Sequence, residues 1–155
     1  MNFVSIVRAQ LEYNWAFWGK TMYHWGDTPE PIRRIGESLL KRENQGEVAL
    51  FATVNSRGDP ALAPVCPIFD ESSIYVLVAR PTAKYQHLLR NSRYAMHAQV
   101  GADDLEFQLS GACRFVDDES ERQRVINAIS FPDFDPTDPI VELLIERALT
   151  VVYGE

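Results

Sequence analysis

The sequence has few cysteines and no pair of them close together. Its two cysteines, Cys66 and Cys113, are separated by 46 residues and form no Cys-x-x-Cys motif. A chain of 155 residues with two distant thiols lacks the dense cysteine pattern of small secreted proteins that depend on disulfides. The sequence therefore predicts a protein of a reducing compartment, with both thiols buried in strands.

A metal-binding pattern is also missing. The three histidines, His24, His87 and His97, do not have the spacing of a zinc site. His87 is predicted at the surface or at the rim of a cleft, and His97 as a half-buried strand residue with a hydrogen-bond partner. The stretch FPDFDPTDP, residues 131–139, carries three aspartates but lacks the glycine and final glutamate of a calcium loop. We predict no metal.

Basic residues are outnumbered and no apolar run is long. The chain has 15 Lys and Arg against 22 Asp and Glu, a net charge of −7, which argues against general attraction to nucleic acid or to an anionic membrane. A local basic pocket stays compatible with that balance. No stretch is apolar enough to cross a bilayer, and Arg8 and Glu12 interrupt any signal-peptide pattern. The predicted location is cytoplasmic.

The composition that remains is that of a globular protein. Hydrophobic residues make up 46% of the chain and charged residues 24%. At this length a single domain with a substantial core is the simplest expectation, and no internal repeat is visible.

The N-terminal segment 3–25 carries all three tryptophans at helical spacing. Its apolar residues fall in steps of three and four and predict one helix with a wide apolar stripe: Val4, Val7, Leu11, Trp15, Trp18, Met22 and Trp25. Such a stripe fits either a helix packed on its own domain or a helix across a dimer interface, where large aromatics are enriched. Both alternatives stay open. Residues 26–31, GDTPEP, read as a linker.

The rest of the chain predicts short strands between a few helices. Helices are expected at 32–43, at 84–91, from Asp117 onward and at 140–147. Strands are expected at 47–55, 60–69, 74–79, 93–101, 105–116 and 149–153. The connections between the strands are too short for parallel crossovers except around the 84–91 helix, so the sheet should be antiparallel, as a barrel or a sandwich.

The segment VLVARPTAKYQHLLRN, residues 76–91, leads from a strand into a helix. Pro81 and Thr82 end the strand, and Thr82 is a fair N-cap for the helix that follows. Helix amides without internal partners, with Arg80 and Lys84 nearby, make a plausible anion site. An ordinary turn with solvated basic side chains fits the same residues, and the spacing alone does not decide between the two.

Four stretches resemble the pyridoxamine-phosphate-oxidase-like family of flavin-binding split barrels, particularly its short members often called general stress proteins. They are ATVNSRGDPALAPV at 52–65, IYVLVARPTAKYQHLLRN at 74–91, SRYAMHAQV at 92–100 and FQLSGACRFVDDESER at 107–122. Their order and spacing, more than any single motif, carry the resemblance. It covers roughly residues 32–128 of a single domain, with an N-terminal helix and linker at 1–31 and a C-terminal helix and strand at 129–155.

The resemblance implies a mainly β (α+β) fold, a six-stranded antiparallel split β-barrel with flanking helices, present as a homodimer with FMN in clefts between the subunits. It implies an FMN-binding flavoprotein, an oxidoreductase acting on a small molecule, in which the flavin carries the hydride chemistry and no catalytic side chain needs to be named. The substrate and the choice of NADH or NADPH stay open. The alternative is a non-catalytic or stress-sensing protein that binds flavin, haem or deazaflavin. The chain shows no match to the C-terminal substrate-binding segment of vitamin B6 oxidases, so pyridoxamine phosphate is not the expected substrate.

The same resemblance implies the residues that hold the cofactor. Lys84 matches the lysine that meets the FMN phosphate, and Thr82 a hydroxyl that commonly adds a hydrogen bond. Ala83 stands where relatives often have a basic phosphate ligand, and Arg80 could replace that ligand if it turned back into the cleft. The remaining expected ring contacts are Pro64, Val65 and Cys66 along the isoalloxazine edge, the backbone of Val78 and Ala79, and the amide of Gln108.

Overall fold

The strands of the protein form one antiparallel sheet of seven strands within the residues that the structure, a computed structural model, describes, namely 22–41, 48–70, 72–98 and 105–152. In chain order they are β1 Ala49–Val54, β2 Pro60–Val65, β3 Ile68–Asp70, β4 Ser73–Leu77, β5 Arg93–Ala98, β6 Leu105–Phe115 and β7 Ile140–Val152. The helices are α1 Glu30–Leu40, α2 Ala83–Arg90 and α3 Glu119–Asn127. The spatial order β2-β1-β5-β6-β7-β4-β3 curls into a half-barrel, as a mainly β split barrel requires.

The turn between β1 and β2 follows the sequence prediction. Asn55 N–H donates to the Asp59 carbonyl at 3.0 Å, and the Asn55 side-chain oxygen accepts from the amides of Arg57 and Asp59. Gly58 has a φ of 87°, a left-handed conformation that suits glycine best. These local bonds fix the register in which Val54 pairs with Pro60.

The longest pairing joins β6 to β7 and corrects a sequence prediction. Residues 140–147, expected as a helix, form the first half of β7, and residues 149–152, expected as a strand, continue it. The register shifts between Ser110 and Gly111, where an added Cβ would lie 1.9 Å from the Leu144 carbonyl oxygen. Pairing along β6, which extends over both halves of the sheet, overrides the local helical spacing of this apolar run.

Two further strand and helix predictions differ from the structure. The predicted strand 60–69 is two strands, β2 and β3, separated at Cys66 and Pro67, because Pro67 cannot donate to a ladder. That division raises the strand number from the expected six to seven. In α2, Leu88 is buried and Tyr85 partly buried as predicted, but Leu89, predicted on the same inner side, is 54% exposed.

The tryptophan-rich N-terminal helix lies outside the described residues up to position 21, so its two alternatives remain predictions. Its predicted end is not helical. Tyr23 forms an antiparallel bridge with Ile145, and Trp25 opens a 3₁₀ turn, Trp25–Asp27. This turn includes Gly26 and ends at Asp27, Pro29 follows it, and α1 then begins at Glu30.

The core lies between the concave sheet and α1. Trp25 is 2% exposed and packs edge-on against Phe69 and Phe107 at about 6 Å between ring centroids. Gly36 of α1 lets the helix approach, because a Cβ there would lie 2.7 Å from both Trp25 and Phe107. A second, smaller cluster lies under α3 and comprises Ile68, Tyr75, Val116, Val125 and Ile140. Among the described residues, no helix is long and apolar enough to cross a membrane.

One carboxylate is buried in the sheet and holds several elements together. The Glu142 side chain is 1% exposed and accepts from Ser73 Oγ at 2.6 Å, His24 Nδ1 at 2.5 Å and Arg114 Nε at 2.8 Å. Arg114 also pairs with Glu121 of α3 at 2.5 Å. Burial alone raises the pKa of Glu142, but the hydrogen bonds from Ser73, His24 and Arg114 outweigh it and hold the pKa below its usual value.

Candidate functional site

The connection from β4 to α2 has the predicted strand-turn-helix form. Thr82 occupies the N-cap position of α2 with an extended backbone, φ −90° and ψ 151°. Its hydroxyl donates to the Ala79 carbonyl at 2.6 Å instead of capping the helix, and its amide donates to the same oxygen at 3.0 Å. The first amides of α2 therefore have neither an intrahelical partner nor a side-chain cap from Thr82.

An open cleft of about 350 Å³ lies beside this helix start. It is lined by Val48, Pro64, Val65, Cys66, Leu77, Lys84 and Phe131. Ligand sites of this size typically combine a mostly apolar lining with a few polar groups. Here six apolar or weakly polar side chains surround one cation.

Four of the predicted cofactor-binding residues meet in this cleft. Pro64 and Val65 end β2, paired with Leu50 and Ala49 of β1, and Cys66 follows directly. Lys84 comes from the first turn of α2, where the helix dipole also favours an anion. The arrangement can accept an apolar body carrying a negative group at one end. The role of each residue as a cofactor ligand remains a prediction.

The thiols of the chain are poorly suited to act as nucleophiles. Partial burial raises the pKa of Cys66, and deeper burial raises the pKa of Cys113 to about 12. Both cysteines are free. Because the thiolate is the reactive form, both side chains are essentially protonated at neutral pH. Cys66 therefore contributes surface to the cleft rather than covalent chemistry.

Three other predicted residues make contacts away from the cleft lining. The Arg80 guanidinium donates through Nη1 to the Thr137 carbonyl at 2.9 Å, so it points toward the loop between α3 and β7. The Val78 amide donates to the Pro139 carbonyl at 2.9 Å, and the Ala79 carbonyl accepts from Thr82. In this structure the backbone groups expected to meet a flavin are thus partly engaged by the protein itself.

Gln108 lies on the same face of the sheet as the cleft residue Pro64 but three strands away. The cross-strand partners Pro64, Leu50, His97 and Gln108 form one row over β2, β1, β5 and β6. Three interstrand steps amount to roughly 14 Å. The Gln108 amide donates to Glu106 at 2.8 Å, and Glu106 also contacts His97 Nε2 at 2.9 Å. Within one subunit Gln108 therefore does not line the cleft.

His97 has the environment predicted for it, whereas His87, predicted at the surface or at the rim of a cleft, packs against the buried Thr53 of β1 and does not line the cleft. His97 is half-buried and bonded to Glu106, and His87 is half-buried with its Nδ1 2.9 Å from Thr53 Oγ1. In the described ranges 22–41, 48–70, 72–98 and 105–152, no three His, Cys, Asp or Glu side chains come together as metal ligands would.

The cleft also contains residues that the sequence did not single out. Val48 precedes β1 and Leu77 ends β4, so both follow from the sheet that places the other residues. Phe131 comes from the connection between α3 and β7, far along the chain from the other lining residues. Apart from its aromatic side chain, no signal in the sequence distinguished it from the rest of that irregular loop.

Comparison of the fold with solved structures identifies its class. A pyridoxamine 5'-phosphate oxidase-like protein from Listeria innocua superposes with a TM-score of 0.61 at 16% identity, covering 77% of this chain and 96% of that one. The chain has the pyridoxamine 5'-phosphate oxidase-like split-barrel fold. General stress protein 26 from Bacillus anthracis is another such neighbour. The expected resemblance is thus confirmed for the fold.

Two further split-barrel neighbours from Mycobacterium smegmatis bind different groups. An FAD-binding protein matches with a TM-score of 0.63 at 13% identity and covers 86% of this chain and 100% of its own. A haem-binding protein matches with a TM-score of 0.61 at 15% identity and covers 83% of this chain and 57% of its own. No protein-family profile and no curated protein sequence matches the chain.

Proposed function

We propose that this split-barrel protein binds FMN and is an oxidoreductase acting on a small molecule in a cleft between two subunits. The observation that carries the proposal is the meeting of Lys84 with the apolar end of β2, Pro64 to Cys66, in one open cleft. The flavin-binding neighbour on the same fold supports it.

The residues of the cleft fit the two ends of FMN. The Lys84 ammonium and the first amides of α2 would hold the phosphate, since both favour a dianion at that point. Pro64, Val65 and Cys66 would provide an apolar wall for the ring and keep water from it. The flavin, when bound, supplies the hydride transfer. The protein contributes binding and orientation, and neither cysteine is set up as a nucleophile.

The second subunit is supported by the surface around the cleft. Val48 is 42% exposed, Leu50 37% and Leu62 66%, all on or beside β1 and β2. A contiguous exposed apolar surface on a globular domain commonly marks an interface. We propose that a second copy of the chain covers this face and closes the cleft. The two free thiols support a cytoplasmic location for this dimer.

A second candidate function is non-catalytic binding of haem, favoured by the haem-binding neighbour on the same fold. The absorbance spectrum of the purified protein separates the two, because flavin and haem have different visible bands. Bleaching of a flavin spectrum by NADH or NADPH would support turnover. A flavin spectrum that neither nucleotide changes would favour storage or sensing.

The decisive test is the affinity of the apoprotein for FMN in the Lys84→Ala variant. Loss of a charge-assisted contact to phosphate should weaken binding by about 1.5–3 kcal/mol, or roughly 10- to 150-fold. Arg90→Ala is the matched control, since it removes the same charge from an exposed position in the last turn of α2. Unchanged FMN affinity in Lys84→Ala, measured by fluorescence titration, would refute the placement of the phosphate.

A further inference from the structure

We propose that Phe131 is a ring-binding residue of this cleft and that Arg80 is the positioning residue that holds its loop. The proposal rests on the proposed flavin function and deepens it. It assigns Arg80 a role different from the phosphate ligand that the sequence suggested.

Phe131 is the one aromatic side chain among the cleft lining in the described part of the chain. It is partly exposed, packs against the second core cluster, and meets Phe134 edge-on at 6.0 Å between centroids. A planar aromatic side chain anchored in this way offers a flat surface to a planar ligand at little entropic cost. The other lining residues are aliphatic, apart from Cys66 and Lys84, so Phe131 is the natural stacking partner for a fused ring system.

The loop that carries Phe131, residues 128–139, is fastened along its second half. Arg80 donates to the Thr137 carbonyl at 2.9 Å, and Arg122 donates to the Asp138 carbonyl at 2.7 Å and to the Pro136 carbonyl. The Val78 amide holds the Pro139 carbonyl at 2.9 Å. The end of β4 and the turn before α2 therefore bind the loop by both backbone and side chain.

The Asp135 side chain adds rigidity within the loop. Its carboxylate accepts from the Thr137 amide at 2.8 Å and from the Thr137 hydroxyl at 2.6 Å, and these hydrogen bonds hold the pKa of Asp135 below its usual value. The Thr137 carbonyl that Arg80 contacts thus belongs to a preformed turn. Because this acceptor belongs to a rigid turn, the hydrogen bond from Arg80 can fix the position of the loop.

One connection consequently sets both ends of the site. Residues 78–84 supply Lys84 to the cleft and, through Arg80, fix the loop that supplies Phe131. An arginine that holds the loop carrying Phe131 affects binding of the ring. An arginine that contacts phosphate affects binding of the phosphate. Both roles predict weaker binding of FMN when Arg80 is removed, but only the positioning role predicts weaker binding of riboflavin, which has the same ring but no phosphate.

The test is a fluorescence titration of the full-length apoprotein with FMN and with riboflavin. Phe131→Ala should weaken both ligands equally, by about 3- to 10-fold, as expected for loss of an aromatic contact. Phe131→Leu, which keeps apolar bulk, should lose less. Lys84→Ala should weaken FMN alone. Thermal unfolding of each variant establishes that it is folded before the titration.

The role of Arg80 is tested by the affinities of its variants for FMN and riboflavin and by the double variant Arg80→Ala with Phe131→Ala. Arg80→Ala should weaken FMN and riboflavin equally and change the visible circular dichroism of the bound ring, while Arg80→Lys, which can still donate to Thr137, should restore part of both. Because Arg80 acts through Phe131, the double variant should bind no worse than Phe131→Ala.

Each result separates this proposal from the proposed function. If the wild-type protein binds FMN and riboflavin, and Phe131→Ala binds each with wild-type affinity, this proposal is overturned and the proposed flavin function stands. Loss of FMN alone in Arg80→Ala would return Arg80 to the phosphate and overturn its positioning role. Wild-type protein that binds neither flavin would overturn the proposed function and this assignment with it.

Discussion

Replacement of the buried carboxylate by its amide, Glu142→Gln, should destabilise the fold strongly. Glu142 joins the N-terminal His24, Ser73 at the start of β4 and Arg114 of β6 through one side chain. Glutamine keeps the volume and one accepting oxygen, which can still serve Ser73 and His24. With its amide nitrogen toward Arg114, a donor meets donors where the carboxylate oxygen accepts from Nε and Nη2 at 2.8 and 2.5 Å. With the amide turned round, Ser73 and His24 must accept instead of donate. In both orientations Arg114 loses its negatively charged partner at this position.

The expected magnitude follows from the exposure of the two partners. Breaking a fully buried ion pair costs about 3–5 kcal/mol, and losing a hydrogen bond to a charged group about 1.5–3 kcal/mol. The Glu142 side chain is 1% exposed, but that of Arg114 is 41% exposed and keeps Glu121 as a partner. We therefore expect a loss near the lower range, about 2–3 kcal/mol, and a fall in Tm of about 4–12 °C.

The pH dependence of this loss has a definite sign. The pKa of Glu142 in the folded protein lies below its value in the unfolded chain, about 4.3. The stability it contributes is therefore complete above that pH and is lost as the pH falls through the folded pKa. Glu142→Gln has no such contribution, so the difference in stability between wild type and variant should narrow steadily below about pH 4.3.

Urea unfolding followed by circular dichroism at neutral and acidic pH measures both effects. Glu146→Gln is the matched control, since Glu146 lies on the same strand, is 46% exposed and pairs with the exposed Arg93. Its loss should stay within about 0.5 kcal/mol. The assignment of this network as a stabilising element would be refuted if Glu142→Gln were as stable as wild type at neutral pH and lost stability at acidic pH in the same way.

Two further substitutions test the bulge and the proposed interface. Gly111→Ala should lower the free energy of unfolding in urea by about 3 kcal/mol, because its Cβ would meet the Leu144 backbone oxygen and overpack the core there. The control is Gly58→Ala, which has open space but a φ of 87° and should lose only about 1 kcal/mol. Leu62→Glu should shift the sedimentation profile from dimer to monomer without loss of folding. The control Leu89→Glu, at a position on α2 that is 54% exposed, should stay dimeric. A monomeric wild type or a dimeric Leu62→Glu would refute the proposed interface on β1 and β2.

The strands and turns that the sequence predicted well are those whose signals are local. The Asn55 to Asp59 turn contains its own hydrogen bonds, and α2 begins one residue from its predicted start because Pro81 and Thr82 end the preceding strand. The helix prediction for residues 140–147 was wrong because an apolar run with glutamates at 142 and 146 has helical spacing. Only the pairing with β6, which is remote in sequence, makes this segment a strand.

The cleft residues divide in the same way. Pro64 to Cys66 and Lys84 lie at the ends of a strand and a helix, so the elements that the sequence predicted bring them together. The orientation of Arg80 depends on the position of Thr137, 57 residues away, and that position depends in turn on Arg122 and on the turn at Asp135. No spacing within residues 76–91 contains this information.

The difference between Lys84 and Arg80 shows what a basic residue near a helix start can mean. Both lie within five residues of each other, and both fit a phosphate site when only charge and spacing are considered. Lys84 lies in the first turn of α2 and lines the cleft, and among the described residues its ammonium donates to no backbone carbonyl. Arg80 donates to the Thr137 carbonyl at 2.9 Å, so its guanidinium points toward the loop, and Arg80 is not among the residues that line the cleft. Lys84 is therefore the residue on which phosphate recognition should depend, while the effect of Arg80 should follow the ring.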